Sequence, residues 1–124
     1  MAFLVAFLRA ALPDLPGQAV TGDLVGRDPG STTVYLEHAG GHRAVRHRMD
    51  RAEIEYSIYA AQRESAAALA HRVRSILLDQ LPGEAVDGAL VLDAADIDAV
   101  RYLPDDTSRE HCYGGEVAVS YIEE

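Results

Sequence analysis

Residues 50–78 read DRAEIEYSIYAAQRESAAALAHRVRSILL, and the architecture follows from a change of pattern within them. Up to residue 60 every second residue is apolar, which is typical of a half-buried strand. This apolar face consists of Ala52, Ile54, Tyr56, Ile58 and Ala60. The spacing then becomes that of an amphipathic helix, with a buried stripe of Leu69, Ala70, Val73, Ile76, Leu77 and Leu81. We predict a strand over residues 51–60 and a long helix over residues 62–81, which Pro82-Gly83 ends.

The segments before this stretch predict one short helix and two strands. The apolar run in residues 2–12 has helical spacing, and Pro13 ends it. Arg9 follows the apolar residues instead of preceding them, so we expect a helix and not a secretory signal. Residues 18–23 and 32–38 are predicted to be strands, and a polar hairpin segment follows up to residue 50.

The segments after the long helix predict two or three further strands. Residues 89–92 and 96–103 are strand-like, and residues 116–122 carry apolar side chains on both faces. A strand with two apolar faces lies in the centre of a layered structure or in a subunit interface. The order of elements predicts one α+β domain over residues 1–124, with a mostly antiparallel sheet of about five strands. The long helix packs on one sheet face, and a short N-terminal helix completes the fold.

Composition and charge restrict the class of protein. The hydrophobic fraction of 48% and the charged fraction of 25% are those of an ordinary globular chain. The net charge of -9 disfavours sequence-independent binding to nucleic acid or to an anionic membrane. No apolar run reaches the length of a membrane span. Cys112 is the single cysteine, so an internal disulfide cannot form.

The histidines do not predict a metal site. His38, His42 and His47 have spacings that do not match a zinc finger, and no cysteine lies near them. Four arginines in the same segment would also repel a cation. We interpret this segment as a solvated or interfacial hairpin.

The acidic and nucleophilic residues predict no catalytic site either. Asp93, Asp96 and Asp98 lack the glycine turn and terminal glutamate of a calcium loop, and on a strand Asp96 and Asp98 are expected to share a solvated face. Cys112 directly follows His111, and neighbouring strand residues point to opposite faces, so the two cannot form a catalytic pair. We predict that the protein is not an enzyme and requires no cofactor or metal.

Two groups of residues are candidates for an interface. Arg43, Arg46 and Arg48 form a local basic segment in an acidic chain, which favours docking to an acidic surface of another subunit. A mobile, solvated loop is the alternative interpretation, because isolated exposed charges contribute little to binding. The last strand has more apolar side chains than one buried face needs, among them Val119 and Ile122. We expect a neighbouring subunit to cover these two residues.

Four stretches carry a resemblance to a known family. They are residues 2–12 with the following LPDLPG, then TTVYLEHAGG, the strand-to-helix stretch quoted above, and VRYLPDDTSREHCYGGEVAVSYIEE. Together they resemble the small tail terminator proteins of long-tailed, siphovirus-type bacteriophages over nearly the whole chain. The last stretch departs from that pattern, because residues 112–115 read CYGG where the family usually has a proline before the final strand.

The resemblance implies a structural virion protein. Tail terminators form a hexameric ring on the head-proximal end of the tail tube, where they stop addition of the major tail tube protein and join the tail to the head-tail connector. DNA passes through the ring only at ejection, and assembly takes place in the host cytoplasm. Six copies of a chain with net charge -9 would repel DNA from the lumen wall.

Two alternatives remain open at this point. The nearer one is another neck or head-completion protein of the same virion, which has a similar size and assembly role. The more distant one is a small ligand-binding or enzymatic α+β domain whose site the sequence does not reveal. A pocket with convergent polar groups would favour the ligand-binding domain, whereas a ring-shaped oligomer would favour the virion proteins.

Overall fold

The computed structural model describes residues 2–24, 31–45, 49–103 and 110–123, and for residues 43–45 it describes the backbone alone. The two α-helices of these residues are α1 (Ala2–Ala11) and α2 (Arg63–Ser75), and α2 continues into a π-helical turn over Ile76–Gln80. The strands are β1 (Val20–Thr21), β2 (Thr33–Val45), β3 (Met49–Ala60), β4 (Ala85–Val86), β5 (Ala89–Tyr102) and β6 (His111–Glu123).

The six strands form one sheet in the order β1-β2-β3-β6-β5-β4. All neighbouring strands are antiparallel except β1 and β2, which run parallel. The predicted α+β class with a mostly antiparallel sheet is therefore confirmed in its coarse form. β1 and β4 contain two residues each, too few for a periodic pattern, so the sequence reveals neither β4 nor the parallel pairing.

Both helices pack on the same face of the sheet. Phe3 of α1 contacts Tyr121 of β6 through their rings, with centroids 5.0 Å apart. The apolar faces predicted for the central strand and the long helix are confirmed as core, because their members are buried in one hydrophobic cluster. They are Ile54, Tyr56 and Ile58 of β3 and Leu69, Val73 and Leu77 of the helical segment. None of the helices among the described residues is long and apolar enough to cross a membrane.

β6 is the last strand along the chain but lies between β3 and β5. Val117 is paired with Ile54 and Val119 with Ala52, so both valines face the helices. Ala118, on the opposite face, is also buried. The two-sided apolar pattern therefore reflects a central strand of the sheet.

The prediction that Val119 meets a neighbouring subunit is wrong. Its side chain is 0% exposed in the single chain, because the register of β6 places it under the helices. Ile122 lies on the other face opposite Leu90, and it is only partly buried. Ile122 is therefore still available to a partner.

β5 and β2 differ from their predicted limits. β5 is one strand where the pattern predicts two, because three register shifts interrupt its alternation: Leu92, Ile97 and the Ala99-Val100 pair have no partner residue on β6. The shift at Ile97 places Asp96 and Asp98 on opposite faces, so the expectation that they share a face is wrong. β2 likewise continues through the Gly40-Gly41 pair to Val45, beyond the predicted strand of residues 32–38.

Candidate functional site

The face of the sheet that carries no helix among the described residues is called the open face below. A row of carboxylates crosses it from one strand to the next. Glu37 of β2 lies opposite Glu55 of β3, Glu55 lies opposite Glu116 of β6, and Glu116 lies opposite Asp98 of β5. We call these four residues the acidic row. Each carboxylate is therefore the direct cross-strand neighbour of another one.

The acidic row is electrostatically costly. Partial burial raises the pKa of Glu116 above its usual value, and repulsion from Glu55, Glu53 and Asp98 raises it further, whereas Arg101 acts in the opposite direction. Like charges directly opposite each other destabilise a sheet. None of the four carboxylates belongs to the hydrophobic core, so the fold does not need them for packing, which suggests that the negative charge serves a purpose outside the single chain.

A shallow depression lies beside the acidic row, where β6 has no side chains. Gly114 and Gly115 form its floor, and carboxylates of the row together with Arg101 line it. Among the described residues no group of three or more histidine, cysteine, aspartate or glutamate side chains is arranged to hold a metal ion. The arrangement can attract a cationic surface or repel a polyanion.

The hairpin end of the sheet carries the predicted basic segment. A shallow groove there is lined by residues 38–42 of β2, residues 50–52 of β3 and Tyr121 of β6. The backbone of Arg43 is paired with Asp50, whereas Arg46 and Arg48 lie outside the described residues. The docking role of the three arginines stays a prediction.

The opposite end of the sheet carries a cluster that the sequence pattern does not reveal. Arg63, at the start of α2, donates a hydrogen bond from its Nε to the Tyr113 hydroxyl at 2.7 Å, and its guanidinium lies 5.2 Å from the ring centroid of Tyr102. The rings of Tyr102 and Tyr113 are 5.1 Å apart. These partners lie far apart along the chain, so no local motif indicates the cluster.

The structure separates the residues that the sequence groups together. Asp96 faces α2 and forms an ion pair with Arg74, whereas Asp93 and Asp98 belong to the open face. The side chain of His38 is exposed, and Cys112 is buried. The four members of the acidic row lie on four different strands, and only the register of the sheet brings them together.

No protein-family model matches the chain. No curated protein sequence is significantly similar to it either.

Proposed function

We propose that this protein is a bacteriophage tail terminator, which forms a hexameric ring on the head-proximal end of the tail tube. The proposal is supported by the resemblance of four stretches that cover nearly the whole chain. The order of helix, strands, long helix and strands in the structure agrees with that resemblance. The proposed partners are further copies of the chain, the major tail tube protein and the head-tail connector.

The acidic row is the structural observation that supports this proposal most strongly. DNA must pass through the ring at ejection without binding to its wall, and a wall of carboxylates repels the phosphate backbone. Glu37, Glu55 and Asp98 are exposed on the open face, and the helices occupy the other face. We place the open face toward the lumen and the helices toward the outside of the ring.

The ring would stop tube growth through a difference between its two ends. A tube subunit layer exposes the same polymerising surface on which it was built, so a heterologous interface of this kind propagates until something blocks it. A ring that binds the tube with one end and presents a different surface at the other end blocks further addition. The second surface is then free to bind the neck of the DNA-filled head.

Deletion of the coding gene from its phage tests the proposed function. Electron microscopy should show overlong or variable tails that fail to join filled heads, and the wild-type chain supplied from a plasmid should restore uniform tails. Tails of normal length joined to heads would refute the terminator role. Complete tails beside empty, leaking heads would instead indicate a head-completion protein.

A charge-reversal experiment tests the placement of the acidic row. Particles complemented with the Glu55→Lys, Asp98→Lys double variant should assemble and then eject DNA more slowly or incompletely. Glu84→Lys, an exposed residue in the turn after α2, is the matched control and should eject normally. Normal ejection by the double variant would place the acidic row away from the DNA path.

A further inference from the structure

We propose that neighbouring copies of this chain join edge to edge, with the free edge of β5 pairing with the free edge of β2 of the next copy. This inference rests on the proposed ring and adds the surface that closes it. It follows from how the two ends of the sheet are covered, from where apolar side chains are exposed and from the charge of the two edges.

The edge of β5 is largely uncovered. β4 pairs only with Ala89 and Leu90, and Val91 exchanges backbone hydrogen bonds with the turn that precedes β4. From Leu92 to Tyr102 no strand of the described residues lies beside β5 on this side. A long free edge exposes unpaired amide and carbonyl groups, and natural proteins normally protect such an edge.

The apolar side chains that are most exposed lie on the same strand. Leu92, Ile97 and Tyr102 are the large hydrophobic residues exposed among the described residues, at 43%, 40% and 40% respectively. Leu92 and Ile97 both lie at register shifts of β5, where they have no partner residue on β6. An uncovered edge that also exposes apolar side chains is the expected surface for a partner strand.

The edge of β2 is the counterpart at the other side of the sheet. β1 pairs only with Val34 and Tyr35, so the edge of β2 is free from Leu36 to Val45 among the described residues. Within the described residues the sheet therefore presents two long stretches of edge without a paired strand, and each terminal strand shields only two residues of its neighbour.

The charges of the two edges favour unlike pairing. β5 carries exposed Asp93 and Asp98 on the open face, whereas the free part of β2 carries the single exposed carboxylate Glu37 and is followed in the sequence by Arg46 and Arg48. Two β5 edges would bring their aspartates together. Pairing of β5 with β2 brings fewer carboxylates together, and such a heterologous contact generates a ring or a filament instead of a two-fold dimer.

Strand direction is consistent with a ring. β2 and β6 run in one direction, and β3 and β5 run in the other. Rotation about a ring axis preserves these directions, so β5 of one copy meets β2 of the next in antiparallel orientation. The joint therefore continues the alternation within the sheet and keeps the helices of all copies on one side, and closure removes both free edges.

Site-directed crosslinking tests this joint in the full chain. Ala39→Cys places a thiol on the exposed edge region of β2, and Ala95→Cys places one on β5. Both are made in a Cys112→Ala background, and repeated with the buried Cys112 retained. With a bismaleimide, a mixture of the two single variants should give covalent dimers at a rate at least tenfold above either variant alone. The double variant should give a ladder of higher oligomers.

Two controls keep the result specific. Ala68→Cys, exposed on α2, should not crosslink with Ala95→Cys above the rate of random collision. Ile97→Lys should abolish oligomers in analytical ultracentrifugation while retaining the wild-type circular dichroism spectrum, because Ile97 is outside the core.

Several outcomes would overturn the edge joint. They are crosslinking of Ala95→Cys with itself, absence of crosslinks in the double variant, and a monomeric wild-type protein at the crosslinking concentration. Rings seen by electron microscopy without these crosslinks would refute the edge joint and leave the terminator function standing. Crosslinked rings in a phage whose deletion mutant has normal tails would refute the function and leave the joint standing.

Discussion

Tyr56 of β3 lies directly opposite Gly115 of β6, and the phenol occupies the space that a side chain at residue 115 would need. A Cβ atom added to Gly115 would lie 2.4 Å from the Tyr56 hydroxyl oxygen and 2.7 Å from the Asp98 carbonyl oxygen. The Tyr56 side chain is fully buried. The glycine is therefore required for β6 to pass beneath this ring at the centre of the sheet.

Gly115→Ala should destabilise the protein by about 1–3 kcal/mol, because the added methyl group overpacks the centre of the sheet. The free energy of unfolding in urea measures the effect. Gly17→Ala is the matched control, since a Cβ at residue 17 meets nothing within 4 Å. Equal stability of the two variants would show that β6 can shift away from Tyr56.

Tyr56→Phe should be nearly neutral or slightly stabilising. The Tyr56 hydroxyl is buried and has no hydrogen-bond partner in the part of the chain that the structure describes, so its removal leaves no partner unsatisfied. In a double-mutant cycle, Tyr56→Phe should also reduce the cost of Gly115→Ala, because the nearest clashing atom is removed. A strongly destabilising Tyr56→Phe variant would reveal a hidden hydrogen-bond partner.

Alkaline pH should weaken the fold through the same residue. Burial, with a further contribution from Asp96, raises the pKa of Tyr56 to about 12 from its ordinary value of 10.0. Between these values the unfolded chain loses the proton while the folded chain retains it, so stability falls as pH rises. Between pH 10 and 12 the loss should reach about 2–3 kcal/mol more in the wild type than in Tyr56→Phe. Parallel pH profiles of the two proteins would contradict this assignment.

Glu116→Gln should stabilise the protein at neutral pH and low ionic strength, because it removes the charge that Glu55 and Asp98 repel. The gain should shrink in high salt, which screens the repulsion, and also on acidification toward the raised pKa of Glu116, where the wild-type carboxylate takes up its proton. Thermal denaturation measures both trends. Glu123→Gln, on β6 outside the acidic row, should show neither.

Alanine substitutions at the two adjacent glycines of β2 should differ in their effect on stability. Gly41 has a φ of 146°, and its Cβ would lie 2.1 Å from the carbonyl oxygen of Arg51. A Cβ on Gly40 would meet only the Glu53 carboxylate at an ordinary 3.6 Å. Gly41→Ala should therefore lower the urea midpoint clearly, whereas Gly40→Ala should leave it nearly unchanged. The reverse order would contradict the register of β2 with β3.

The elements with a strong local period could be predicted, and the acidic row could not. The alternation around Ile54 and the helical stripe through Val73 are local signals, so the strand, the helix and their mutual contact are confirmed. The bulges at Leu92 and Ile97 have no such signal, because they are defined only against the partner strand. This explains both the undivided β5 and the separation of Asp96 from Asp98.

The amino-acid sequence by itself determined the acidic charge, the α+β class and the faces of β3 and α2 that form the core, because charge is additive and amphipathic periods are local. Only the tertiary structure decided that Val119 is buried and that Glu37, Glu55, Glu116 and Asp98 form one row. It also decided that, among the described residues, most of β2 and of β5 has no further strand beside it. These features depend on strand order and register, which residues distant in the chain fix together through packing and hydrogen bonding.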